Sequence, residues 1–133
     1  MSQLTADDRL AIHDIIAIYC HALDLGRWEE FRGLFTDDCR LDFGSLMGVY
    51  EGPEGVRRFT DRMQALGLFM RHYTTNVVLR GDGARARAES YVLAITGAPG
   101  ASLTTTGRYE DELVKVGGGW RLRVRRALLD TPA

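Results

Sequence analysis

Apolar side chains recur at three- and four-residue intervals through the first quarter of the chain: Leu10, Ile12, Ile15, Ile16, Ile18, Tyr19, Ala22 and Leu23, with Arg9, His13 and Asp14 between them. Thr5 followed three residues later by Asp8 resembles a capping box with Asp in place of Glu, and Asp7 and Asp8 suit the positive end of a helix dipole. The spacing predicts a helix of about five turns that begins near Ala6 and stops near Gly26. Trp28, Phe31, Leu34 and Phe35 repeat the helical period opposite Arg27, Glu29, Glu30 and Arg32, which predicts a short second helix. Thr36 to Arg40 reads as a turn, and Leu41, Asp42 and Phe43 as the start of a strand interrupted by Gly44 and Gly48, within a mobile GSLMGVYEG segment. Proline suits the first helical position, so Gly52-Pro53 marks a third helix, with Val56, Phe59, Met63 and Leu66 on one face and Gly67 at its end.

From Met70 the period changes from helical to extended. Residues 70 to 80 read as a strand, Gly81-Asp82-Gly83 as a tight turn and residues 84 to 96 as the antiparallel partner. Ala84, Ala86, Ala88, Ser90, Val92 and Ala94 share one face of that partner, opposite Arg85, Arg87, Glu89, Tyr91, Leu93 and Ile95. A face of small residues leaves room for a helix or a ligand. After the GAPGAS loop, residues 102 to 116 form a Thr-rich strand, Gly117-Gly118-Gly119 turns it, and Trp120 to Leu129 complete a second hairpin. Three helices followed by a four-stranded meander imply an α+β domain, and a chain of 133 residues fits one such domain. A strongly curved sheet wrapped round the long first helix would leave a conical cavity.

Seventeen basic and 18 acidic side chains give a formal net charge of -1, so there is no electrostatic case for nucleic acid or an anionic membrane as partner. A small neutral or weakly charged ligand fits better. Cys20 and Cys39 stand alone, which points to reduced thiols and to neither a disulfide framework nor a metal site. No GxGxxG, P-loop or GxSxG is present, so neither a nucleotide cofactor nor serine-hydrolase chemistry is expected. The N-terminus lacks the features of a signal peptide and no apolar run has the length of a membrane span, so the expected location is the cytoplasm.

Two segments far apart in sequence carry the candidate chemistry. Asp24 ends the first helix, and His72 lies in RHYTTN on the first meander strand. An aspartate accepting a hydrogen bond from Nδ1 would fix the imidazole tautomer that leaves Nε2 free to take a proton, if the fold brings the two together. Asn76 falls on the same strand face as His72 and is a candidate for pocket polarity or for a structural hydrogen bond. Phe43, Leu46, Met47, Tyr50, Phe59, Met63, Phe69 and Met70 are apolar residues for a pocket wall and lid, or for completing the core; methionines beside a Gly-flanked loop suit a bulky apolar or polycyclic ligand.

The order and spacing of ALDLGRWEEFRGLFTDDC, YEGPEGV, RHYTTNVV and GRYEDELVKVGGGWRLRVRR resemble the SnoaL-like branch of the NTF2-like superfamily, the cystatin-like α+β cone, over nearly the whole chain. In motif the chain is most similar to the group of scytalone dehydratase, the lindane dehydrochlorinase and the bile-acid 7α-dehydratase. That resemblance implies a histidine base paired with an aspartate, here His72 and Asp24, together with an aromatic hydroxyl at Tyr19 and a late-strand arginine at Arg125. Tyr19 also fits the core stripe beside Ile15 and Leu23. It stands five positions before Asp24, about 140° round an ideal helix, so the two face one cavity only by flanking it or by unwinding of the helix near Leu25-Gly26. Strict alternation puts Arg125 with Arg121 and Arg123, so it faces solvent unless a bulge turns it inward.

These readings lead to a cofactor-independent lyase or isomerase acting on a small, bulky apolar substrate. Non-catalytic ligand-binding or assembly subunits share the fold, and so do epoxide hydrolases of the limonene type, which need an Asp-Arg-Asp site around a water. A homodimer or larger homo-oligomer is expected, from the resemblance and because Tyr91, Leu93 and Ile95 would otherwise form exposed apolar surface.

Overall fold

In a computed structural model, which describes residues 3–98 and 101–130, the helices lie in the first half of the chain, interleaved with two strands of one open six-stranded sheet. Helix α1 (Ala6–Asp24) is followed by α2 (Trp28–Arg32), strand β1 (Phe35–Asp42), the one-turn helix α3 (Gly44–Met47), β2 (Val49–Glu51) and α4 (Gly52–Leu66). The meander is β3 (Phe69–Gly81), β4 (Arg85–Ala98), β5 (Ala101–Val116) and β6 (Gly119–Leu129). The strands lie in the order β2-β1-β6-β5-β4-β3, and only the β1–β6 contact is parallel.

Both long helices and all four meander strands follow the hydrophobic pattern. The first helix starts on the capping box: Asp8 N–H donates to Thr5 Oγ1 and Thr5 N–H to Asp8 Oδ2, each at 3.0 Å. The region between α2 and α4 departs from it. Residues 36 to 40, read as a turn, belong to β1, and the GSLMGVYEG segment holds α3 and β2. The alternation was hidden because β1 is irregular between Phe35 and Arg40: Phe35, Cys39 and Leu41 are its buried positions, while Asp37 and Asp38 are both exposed in succession between them. Of the GAPGAS loop, Pro99 and Gly100 lie outside the described residues.

Two bulges set which side chains enter the core. On β3, Thr75 pairs with Tyr91 and Val78 with Glu89, so Asn76 and Val77 together oppose Ser90; Asn76 takes a positive φ of 56° there. On β6, Leu122 pairs with Leu113 and Val124 with Glu112, which leaves Arg123 as the extra residue. Each bulge reverses the in-out alternation beyond it. Met70 and Leu79 are therefore both buried on β3, and Trp120, Leu122, Arg125 and Ala127 are all buried on β6.

Asp8 ties the start of α1 to the last hairpin: Lys115 Nζ and Trp120 Nε1 donate to its Oδ1 at 3.1 and 3.0 Å. Hydrogen bonds from the Thr5 N–H and the Trp120 indole, with Lys115 adding to them, hold its carboxyl well below the usual carboxylate range. A depressed folded-state pKa stabilises the fold above the unfolded value of about 3.9, and that contribution fades as pH falls below it. Asp8→Asn is expected to lower the melting temperature at pH 7, with the gap to the parent protein closing below about pH 4. Thermal melts of both proteins across pH 3 to 7 check this; a gap independent of pH would remove the role assigned to the charge.

Candidate active site

Asp24 is the last residue of α1, where a carboxylate opposes the negative end of the helix dipole. Gly26, at φ 70°, turns the chain away, and the Arg27 N–H donates to Ala22 C=O at 2.8 Å to close the helix. What compensates Asp24 comes from β3. The His72 N–H donates to Oδ2 at 2.7 Å, and Nδ1 meets Oδ1 at 2.5 Å, with the two side chains 12% and 6% exposed for His72 and Asp24. One carboxylate thus fixes both the backbone and the ring of His72. With Nδ1–H donating to Asp24, the ring presents the Nε2 lone pair on its other edge.

His72 stands in the wall between two concavities. Inside the cone is a cavity of about 270 Å³ lined by Tyr19, Leu23, Phe43, Met47, Phe59, Met63, Leu66, Leu68, Met70, His72, Val92, Ala94, Thr96, Thr105, Tyr109, Ala127 and Leu129. Outside, between α1 and β3, runs an open groove of about 710 Å³ onto which Asp24 and His72 both face, beside His13, His21, Cys20 and Arg71. Of the two, the cone cavity is the less open and has the more apolar wall, as suits a small-molecule site. Tyr19 and Asp24 accordingly flank the wall: helix α1 stays wound through Asp24, with Tyr19 turned into the cone and Asp24 behind the histidine.

The β6 bulge turns Arg125 inward, where it has no exposed surface. Its Nε and Nη2 donate to Asp111 Oδ1 and Oδ2, both at 2.8 Å, and its guanidinium carbon lies 4.2 Å from the Tyr19 ring centre and 3.8 Å from that of Tyr109. Burial acts to lower the Arg125 pKa, and the attraction and hydrogen bonds of Asp111 more than reverse this, so the group stays cationic. The cation sits behind the two tyrosines, which separate it from the cavity. Tyr19 Oη and Arg125 Nη1 are buried without a hydrogen-bond partner among the described residues, and burial pushes the Tyr19 phenol well above its ordinary value.

Of the expected wall residues, Phe43, Met47, Phe59 and Met63 line the cavity and Tyr50, Phe69 and Asn76 do not. Tyr50 is packed behind Phe43 and Phe59, its hydroxyl donating to Met47 C=O at 2.8 Å. Phe69 lies one position from inward-facing Met70, on the opposite face of β3, under the Arg71 guanidinium. Asn76 is exposed at the β3 bulge, and its left-handed backbone is the structural role that suits an asparagine. The side chain of Leu46 lies outside the described residues. Pattern reading missed Tyr109 and Asp111, inward-facing on β5, and the two threonines of the cavity, Thr96 and Thr105. The alternation Gly107, Tyr109, Asp111, Leu113 was the available signal, with an acid at a core position. Among the described residues no group of three or more His, Cys, Asp or Glu side chains is placed to hold a metal ion.

A curved open sheet packed on one long helix is a cystatin-like α+β cone, here with His72 in the wall of its cavity and Asp24 behind it. The chain belongs to the SnoaL-like domain family, whose sequence pattern matches residues 4–126. It is 27% identical over 131 residues to an uncharacterized protein of Mycobacterium tuberculosis, covering 95% of this chain and 87% of that one. A protein of unknown function with a cystatin-like fold from Nostoc punctiforme superposes with a TM-score of 0.85 at 26% identity, covering 98% of this chain and 96% of that one. The crystal structure of LinA superposes with a TM-score of 0.84 over 94% of this chain and 87% of LinA; at 22% identity that is a likeness of fold.

Proposed function

We propose that the protein is a cofactor-independent lyase or isomerase in which His72 removes a proton from an activated carbon of a ligand held in the cone. The observation that supports this reading most is the orientation of His72 by one aspartate through both ring and backbone, with His72 bordering a largely apolar cavity. A scaffold needs no such pair. Arg125, with Asp111 behind it, contributes positive potential to the cavity floor from beneath the Tyr19 and Tyr109 rings, where low dielectric strengthens it. The cavity is slightly smaller than the roughly 300–1,000 Å³ usual for ligand pockets, which favours a compact substrate of one or two rings over a larger polycyclic one. Arg125 is held by one carboxylate and is sealed from the cavity, which counts against an epoxide-hydrolase site of the Asp-Arg-Asp kind.

The test is a panel of one- and two-ring hydroxy ketones, phenols and halogenated ring compounds incubated with the protein in D₂O. Deuterium appearing at an activated carbon, or loss of water or halide, supports proton abstraction. A panel that binds without exchange or elimination supports the ligand-binding alternative.

We further propose a homodimer or larger assembly through the outer face of the sheet. Tyr73, Tyr91 and Leu93 are 50%, 56% and 38% exposed, and the register sets Tyr73 beside Leu93 with Tyr91 next along β4. Light scattering at micromolar concentration is expected to give at least twice the chain mass of 14.9 kDa. A monomer would leave this face without its assigned purpose.

A further inference from the structure

The resemblance put the aromatic hydroxyl of the site on Tyr19. Accessibility argues for another residue. Tyr19 has no exposed surface at all, and its oxygen is enclosed beside the Arg125 guanidinium. A ligand in the cone does not reach its hydroxyl. Tyr109 also lines the cavity, retains 4% of its surface, and sits on a strand paired on both sides, where Ser90 and Ala127 flank it in the same row. Those two small neighbours leave the ring a slot between them.

We propose that Tyr109 is a catalytic residue: its phenol donates a hydrogen bond to the substrate oxygen on which negative charge develops as His72 takes the proton. This rests on the lyase or isomerase reading of the same site. The electron pair of the broken C–H bond is delocalised onto the oxygen, the proton moves to His72 Nε2, and Tyr109 keeps its own proton within the hydrogen bond. Arg125 lies 3.8 Å from the Tyr109 ring centre, and a cation there makes the O–H a stronger donor. Burial, with Tyr19 adding to it and Arg125 opposing, holds the phenol well above its ordinary pKa, so it remains a donor across the neutral range.

The placement also limits the substrate. The mouth of the cavity carries Leu66, Leu68 and Leu129, which are 50%, 45% and 37% exposed. His72 shares a row with Ala94 and Thr105, and Tyr109 lies four residues further along β5 toward the buried end. The acidic carbon and the charge-bearing oxygen therefore sit at different depths. A ring ketone or hydroxylated ring whose conjugation joins the two atoms meets this requirement, with its apolar edge toward the leucines.

Tyr109→Phe keeps the ring and its stacking on Arg125, so it tests the hydroxyl alone. Removing one oxyanion donor costs roughly 10²- to 10³-fold in turnover. Tyr109→Phe is expected to lose about a hundredfold in kcat on any substrate found with the panel, and Tyr19→Phe at least tenfold less than that. A second measurement needs no turnover: 2-naphthol bound as its anion is followed by absorbance, and its affinity is expected to fall about tenfold or more in Tyr109→Phe. Equal kcat in Tyr109→Phe and the parent protein, or a larger loss in Tyr19→Phe, overturns the assignment while leaving the His72 reading in place. If His72→Ala keeps full turnover yet naphtholate binding still weakens in Tyr109→Phe, the proton-abstraction reading fails and Tyr109 stands as the donor to a bound oxyanion. Naphtholate bound equally by both proteins removes that role.

Discussion

His72→Ala is expected to lose at least about a hundredfold in turnover while remaining folded, the low end for a positioned general base. The side chain borders a cavity on one edge and meets Asp24 on the other, so truncation removes the base and leaves the neighbouring strands paired. Asp24→Asn is expected to be damaging too: an amide can donate where the carboxylate only accepts, which favours the tautomer whose proton sits on the wrong nitrogen. Because the two residues act as one unit, the double variant should be little worse than His72→Ala alone. Steady-state kinetics of the three variants on one substrate decide it. Full turnover in His72→Ala would end the proton-abstraction reading.

The second large effect is on stability. Asp111→Asn leaves the Arg125 guanidinium buried with its counter-charge removed, and breaking such a pair costs about 3–5 kcal/mol. Both side chains are 0% exposed, so solvent does not screen the loss. Replacing both partners by apolar residues of similar size, Asp111→Leu with Arg125→Met, is expected to recover most of that stability, because neither charge then needs a partner. Urea titrations of the single and double variants separate the two outcomes. If the double variant recovers stability but loses activity, the buried pair is retained for its field under the tyrosines.

The long helices and the meander could be read in the sequence because one face of each is buried and the other is wet, which writes a clean period into the chain. Strand β1 could not, since its register shifts between Phe35 and Arg40 and it carries Thr36, Asp37 and Asp38 there in a run that looks like a turn. The family resemblance drew attention to the His72-Asp24 pair, and no local pattern does so: 48 positions separate the two. Arg125 shows the limit of alternation, which assumes an unbroken strand; its inward turn depends on one extra residue at 123. Asp111 falls at a core position of the β5 alternation, and its role there is plain only once Arg125 is turned inward beside it.

The bulges give β3 and β6 two numbering frames each. Upstream of Arg123 the even-numbered residues of β6 face inward, and from Arg125 onward the odd-numbered ones do. Deleting Arg123 would close the bulge into a regular ladder, with Leu122 in, Val124 out and Arg125 still in opposite Asp111, so both halves of the strand keep their faces. A bulge at such a point thus absorbs a single-residue insertion: the chain lengthens by one position while the pocket floor beyond it keeps the residues that face inward.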